Sequence, residues 1–221
     1  MNIKKLKDGS YEFTQCALLD AIIADVGLDN STTKPVPAKV AILLHAFKDA
    51  PAFDLNFNYR SVVGKLNYLA QTTRPDIMYA FHQTAKFSAD PREPHGDAIL
   101  YLTRYLKKTR DIGVCFNPNP EEGFKCYCNA DFSGNWTSTI ADDDPSTSKS
   151  RSGWVIFYAG CPIIWASKLQ TQTALSTTEA EYIAMSMSLR DVIPIFGTNQ
   201  GNEGTQHSCH LHQTLCLLQS L

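Results

Sequence analysis

Two short segments hold the side chains that could do chemistry in this sequence. Residues 126–136 read Cys-Tyr-Cys-Asn-Ala-Asp-Phe-Ser-Gly-Asn-Trp, a strand-like run that enters a turn and leaves Asn129 and Asp131 near the strand end. Residues 176–185 read Ser-Thr-Thr-Glu-Ala-Glu-Tyr-Ile-Ala-Met. Ser176 and Glu179 form a capping-box pattern that opens a helix, and Glu181 falls on a different face, from which it can approach a neighbouring strand end. A strand-end carboxylate opposed by one from a first helical turn is the kind of oxygen set that hard cations such as Mg²⁺ prefer. Two such ions about 4 Å apart can hydrolyse a phosphodiester, one activating water and the other stabilising the leaving oxygen. Asp131 and Glu181 are therefore the expected metal-binding and catalytic pair. Each also has an ordinary reading: Asp131 as turn chemistry, Glu181 as a solvated carboxylate favoured by the helix dipole. Two carboxylates alone do not make a two-metal site.

A second set of residues points to phosphate backbones. Arg60, Lys65 and Arg74 are interleaved with Tyr59 and Tyr68, a pattern able to combine stacking with charge. Lys107 and Lys108 open the basic cluster Lys107-Lys-Thr-Arg110, and Lys168 follows the apolar run 162–166. These six cations are the expected nucleic-acid contacts. Helix-core aromatics flanked by snorkelling cations would give the same composition. Residues 1–111 carry 15 Lys/Arg against 12 Asp/Glu, and residues 112–221 carry 5 against 10. A mildly basic first half beside an acidic second half suits a backbone-gripping part joined to a carboxylate-rich one.

The tail segment 207–216 gathers five His and Cys side chains without the paired spacing of a zinc site. Seven scattered cysteines and a polar start, Met1-Asn-Ile-Lys-Lys5, lead us to expect reduced thiols in a soluble cytoplasmic or nuclear protein. No apolar run approaches the roughly 18 residues of a membrane span, so no membrane partner is expected.

The positioning elements follow from periodicity. A helix is predicted over 14–26, with Thr14 as N-cap and Gly27 past the end. Further helices are predicted over 59–71, from Pro75 to about 87, and from Pro94 to the basic cluster. Residues 29–58 read as an irregular crossing segment. From 112 the pattern changes to strands over 113–116, 124–130, 152–158 and 162–166, the last two joined by a tight turn at Ala159-Gly160. A helix from Ser176 is expected to run to about Arg190. After Pro194 no period is evident, and Glu203 is the one acidic residue among 192–221.

Several motifs occur together in order over about residues 1–195. They include Lys34-Pro-Val-Pro, Tyr59-Arg-Ser-Val-Val-Gly-Lys-Leu-Asn-Tyr-Leu, Arg74-Pro-Asp-Ile, Arg104-Tyr-Leu-Lys and Asn129-Ala-Asp-Phe-Ser-Gly. Ser150-Arg-Ser-Gly, Ile164-Trp-Ala-Ser-Lys and Ser176-Thr-Thr-Glu-Ala-Glu-Tyr-Ile-Ala complete the series. This set resembles the C-terminal part of a copia-type retrotransposon Pol polyprotein, from the end of the reverse transcriptase into RNase H. The resemblance implies an α/β (α+β) fold: a helical thumb/connection module over 1–111, then a truncated RNase H-like mixed sheet with one flanking helix over 112–195. Residues 196–221 fall outside it and read as an out-of-frame or disordered tail. A polymerase palm would lie upstream. The family's activity is Mg²⁺-dependent cleavage of the RNA strand of an RNA–DNA hybrid, so a hybrid or single-stranded nucleic acid is the implied partner. In that family the first Asp of the strand-end motif is the metal ligand, and here that position is Asn129. Glu181 matches the helix carboxylate, and two further acidic positions have no match. The resemblance therefore implies a nuclease lineage whose site is incomplete in this chain.

Overall fold

The structure is a computed structural model that describes residues 1–39, 43–54, 56–199 and 210–212, the stretches 196–199 and 210–212 by backbone alone. The chain begins with a hairpin that composition did not announce. Strands β1 (Asn2–Lys5) and β2 (Tyr11–Thr14) pair antiparallel. Their turn is held by Asp8 Oδ1, which accepts from the backbone N–H and the hydroxyl of Ser10, while Gly9 supplies the positive φ of 91°.

Helix α1 (Cys16–Asp25) starts after Gln15 rather than at a Thr14 cap and buries Leu19, Ile22 and Ile23. Gly27 ends it at φ 66°, the left-handed residue the sequence predicts. Helix α2 (Tyr59–Thr72) is capped by the Asn58 side chain, which accepts from Ser61 N–H at 3.0 Å. Its Val62, Leu66 and Leu69 recur at helical spacing and are fully buried. A 3₁₀ turn, Pro75–Ile77, leads into α3 (Met78–Ala85), and α4 (Glu93–Lys108) adds Ile99, Leu102 and Leu106 to the same core.

Strand β3 (Val114–Phe116) lies where the sequence suggests the second module begins, yet it pairs with β2. The first half of the chain therefore closes on itself through a three-stranded sheet ordered β1-β2-β3.

The second sheet is built from β4 (Phe124–Asp131), β5 (Arg151–Tyr158) and β6 (Cys161–Leu169), all antiparallel. Ala159 and Gly160 form the β5–β6 turn with φ of 50° and 77°, matching the twist of the strands they join. Helix α5 (Thr177–Asn199) is longer than its pattern suggests and carries Pro194 within it. Its Ala180, Ala184, Ser188 and Val192 are buried, and Val192 packs with Phe124, Cys126, Trp154 and Ile156. At its start Ser176 Oγ accepts from Glu179 N–H, as the capping pattern requires.

Strand β7 (His210–His212) then pairs parallel to β4, so the order is β6-β5-β4-β7. This three-residue parallel strand covers part of that edge of β4, from within the stretch 196–221 that the resemblance leaves out. The rest of the predicted tail lies outside the described residues.

The two halves meet along a seam. Trp165 of β6 donates its indole N–H to the carbonyl of Ala70 in α2 at 2.8 Å, and Lys86 after α3 bonds Asp144 at 2.7 Å.

Candidate carboxylate and nucleic-acid site

Strand alternation decides where the acidic residues go. Phe124, Cys126 and Cys128 face α5, with Cys126 and Phe124 in its core and the Cys128 thiol hydrogen-bonded to Ser188. Lys125, Tyr127, Asn129 and Asp131 therefore lie on the opposite face, where the Tyr127 and Phe157 rings meet edge to face. Asn129 is exposed and pairs across the sheet with Gly153. Asp131 is half-buried opposite Arg151. Burial pushes its carboxyl above the usual range, and the Arg151 guanidinium pulls it back. Gly134 folds directly over this carboxylate: a Cβ there would sit 2.2 Å from either oxygen.

Glu181 stands on the α5 side. Burial raises the Cys128 thiol, the Ser188 bond opposes that, and the charge of Glu181 adds to it. The expected pair is thus divided between the two faces of β4: Asp131 turns toward Arg151 and the helical half, and Glu181 toward Cys128. Among the described residues no three of His, Cys, Asp and Glu gather into a metal-holding group. The donor set present does not fit a two-Mg²⁺ site.

The expected cations separate into two kinds. Arg74 is 1% exposed, and its guanidinium forks onto Asp76 at 2.9 and 2.7 Å while donating to the Thr109 carbonyl and hydroxyl. It forms an internal clamp between the 3₁₀ turn and the end of α4. Lys107 likewise points its ammonium at three carbonyls, those of Leu28, Asp29 and Ser31, and fastens α4 to the loop after α1. Three donors meet three acceptors, so the ammonium is satisfied within the fold. Lys65 is bonded to Asp25 on α1.

Arg60, Lys108 and Lys168 remain exposed. Arg60 lies along the Ser88 carbonyl, and the Lys168 ammonium is 5.3 Å from the Trp154 ring centroid. Arg60 and Lys168 line opposite walls of a groove of 800 Å³ between α2, α3 and β6. Asn67, Gln71, His82, Ser167 and Asp191 also line it.

Sequence reading missed what stands behind that groove. Arg151 is 6% exposed and stacks 5.2 Å from the Tyr79 ring centroid. Its Nη1 has three long contacts, to His82 Nδ1 at 3.3 Å and to Ser167 O and Oγ at 3.5 Å, and its buried Nε has no hydrogen-bond partner. His82 is held neutral, its pKa pushed down to about 4 by burial and by the charges of Arg151, Lys168 and Lys86. The signal that could have found this cluster is an arginine in the buried position of a strand, at Ser150-Arg-Ser-Gly.

No solved structure and no family profile matches the chain. Curated sequences do. The chain is 37% identical over 135 residues to the retrovirus-related Pol polyprotein from transposon TNT 1-94 of Nicotiana tabacum, and 34% identical over 155 residues to that from transposon RE2 of Arabidopsis thaliana. These matches take in 61% and 68% of the chain but only 9% and 10% of those polyproteins. It is also 33% identical to secreted RxLR effector protein 161 of Plasmopara viticola, over 62% of the chain and 91% of that protein. Pol polyproteins from several transposons are thus among its relatives, which supports reading the chain as similar to a fragment of a retrotransposon Pol polyprotein.

Proposed function

We propose that the chain is the copia-type end of a reverse transcriptase joined to the start of an RNase H-like domain, and that it acts by holding nucleic acid rather than by cutting it. Three antiparallel strands, a crossover helix and a parallel strand beside the first support the RNase H reading of the second half. The β4 strand end carries the functional reading. Where the family places its ligand Asp, this chain has Asn129, whose neutral amide binds a hard cation weakly beside a carboxylate. Asp131 lies under Gly134, across the strand pair from Arg151, on the sheet face away from Glu181. The Mg²⁺ chemistry of the lineage therefore does not run through these residues. The groove between the halves, with Arg60 and Lys168 on its walls, is the surface left for an RNA–DNA hybrid or a single strand.

The test is a binding and cleavage assay on a labelled hybrid and on single-stranded DNA. Salt-sensitive binding without Mg²⁺-dependent cleavage is expected, and Asn129→Asp should remain inactive. Cleavage by the unmodified chain that Glu181→Gln abolishes would overturn the proposal.

A further inference from the structure

We infer that the seam between α3 and β6 is a phosphate-binding subsite, in which Arg151, His82 and Ser167 receive a phosphate group entering from the groove past Lys168 and Arg60. This deepens the nucleic-acid reading and rests on it only for the source of the phosphate. The carrying observation is a buried guanidinium without a close anion. Among the described residues no carboxylate lies within 4.0 Å of Arg151, although Asp131 is its cross-strand partner, and its Nε is buried and unpaired. A buried, unsatisfied charged donor is costly unless an anion completes it.

The surroundings suit such an anion. His82 and Ser167, the two residues that touch Nη1, also line the groove, so the guanidinium lies one side chain behind the wall. Because a guanidinium nitrogen only donates, the contact to His82 Nδ1 makes that nitrogen the acceptor and puts the ring proton of the neutral imidazole on Nε2. Lys86 adds positive charge nearby but is tied to Asp144. The acidic groups facing the site are Asp131 across the strand pair and Asp191 on the groove wall, the latter bonded to Trp154 Nε1 at 2.8 Å. A phosphate would replace three long contacts with charge-assisted bonds and offset the cations that keep His82 neutral.

That last point supplies the readout. The His82 ring is titrated by NMR in the full chain, alone, with inorganic phosphate, and with a single-stranded oligonucleotide. Bound phosphate should raise the His82 pKa by roughly one unit from its depressed value. Arg151→Gln should weaken the phosphate response about tenfold, the loss expected of a charge-assisted pair. The exposed Lys168→Gln should weaken it several-fold and keeps the test open if the Arg151 variant does not fold. A response to both ligands assigns the site to a nucleic-acid phosphate, and a response to inorganic phosphate alone assigns it to a free phosphate. Oligonucleotide binding while His82 is unmoved by either ligand overturns this inference and spares the nucleic-acid reading. No response to either ligand overturns it as well.

Discussion

Replacing Arg74 by Met separates a structural arginine from a nucleic-acid contact. The substitution keeps an unbranched apolar stem and removes the fork that holds Asp76 and Thr109. Asp76 is 19% exposed and also accepts from the Tyr105 hydroxyl at 2.8 Å, so without Arg74 its charge sits mostly desolvated with one remaining donor. Breaking a buried ion pair from one side costs about 3–5 kcal/mol. The partial exposure of Asp76 places this case near the lower end, and the Thr109 carbonyl keeps its bond from the Ile112 N–H. A loss of about 3–4 kcal/mol is expected. With a urea slope near 2 kcal/mol/M, the midpoint should fall by about 1.5–2 M, followed by far-UV circular dichroism of the helices. Adding Asp76→Leu should restore much of the loss, because removing both charges leaves neither stranded. A midpoint within about 0.3 M of the unmodified chain, together with weaker nucleic-acid binding and a salt slope reduced by about one, would show that Arg74 meets phosphate and that this reasoning is wrong.

Two other outcomes follow from single sites. A Cβ at residue 113 would lie 1.9 Å from the Phe13 carbonyl oxygen. Gly113→Ala should therefore cost about 1–3 kcal/mol by prising β3 from β2, and faster amide exchange in residues 11–14 is the check. His82 has a folded pKa of about 4 against an ordinary 6.5. Between these values the unfolded chain takes up a proton that the folded chain refuses, so stability falls as pH drops from 6.5 to 4. The loss approaches a few kcal/mol at most, less what the partial exposure of the ring screens, and His82→Gln should flatten that segment of the stability–pH curve.

Local signals carried well into the structure where one element decides its own form. Asn58, Gly27, Gly160 and the Ser176 cap all do what their side chains and φ preferences dictate. The apolar stripes of α2 and α4 face the core they imply. What failed to show were relations between distant residues. The segment 2–14 lacks a clear alternating pattern because β1 is exposed throughout, and the partner of β3 is not legible because pairing leaves no mark on a three-residue run. Arg74 and Lys107 read as surface cations because their acceptors, Thr109 and the 28–31 loop, are far away in sequence. Strand parity was available at 126–131 all along. It separates Asp131 from Cys128, but only the packing of α5 shows which of those faces meets Glu181.

The pairing of β2 with β3 also sets a schedule. Residues 11–14 leave the ribosome about 100 residues before their partners at 114–116, a delay of roughly 5–20 s at ordinary elongation rates. During that interval the outer edge of β2 has no strand to receive it, and α1, α2 and α4 must gather around their own apolar stripes first. Late closure of this kind couples the helical half to the arrival of the chain beyond α4. A nascent protein stalled before Val114 would present an open strand edge to whatever lies nearby.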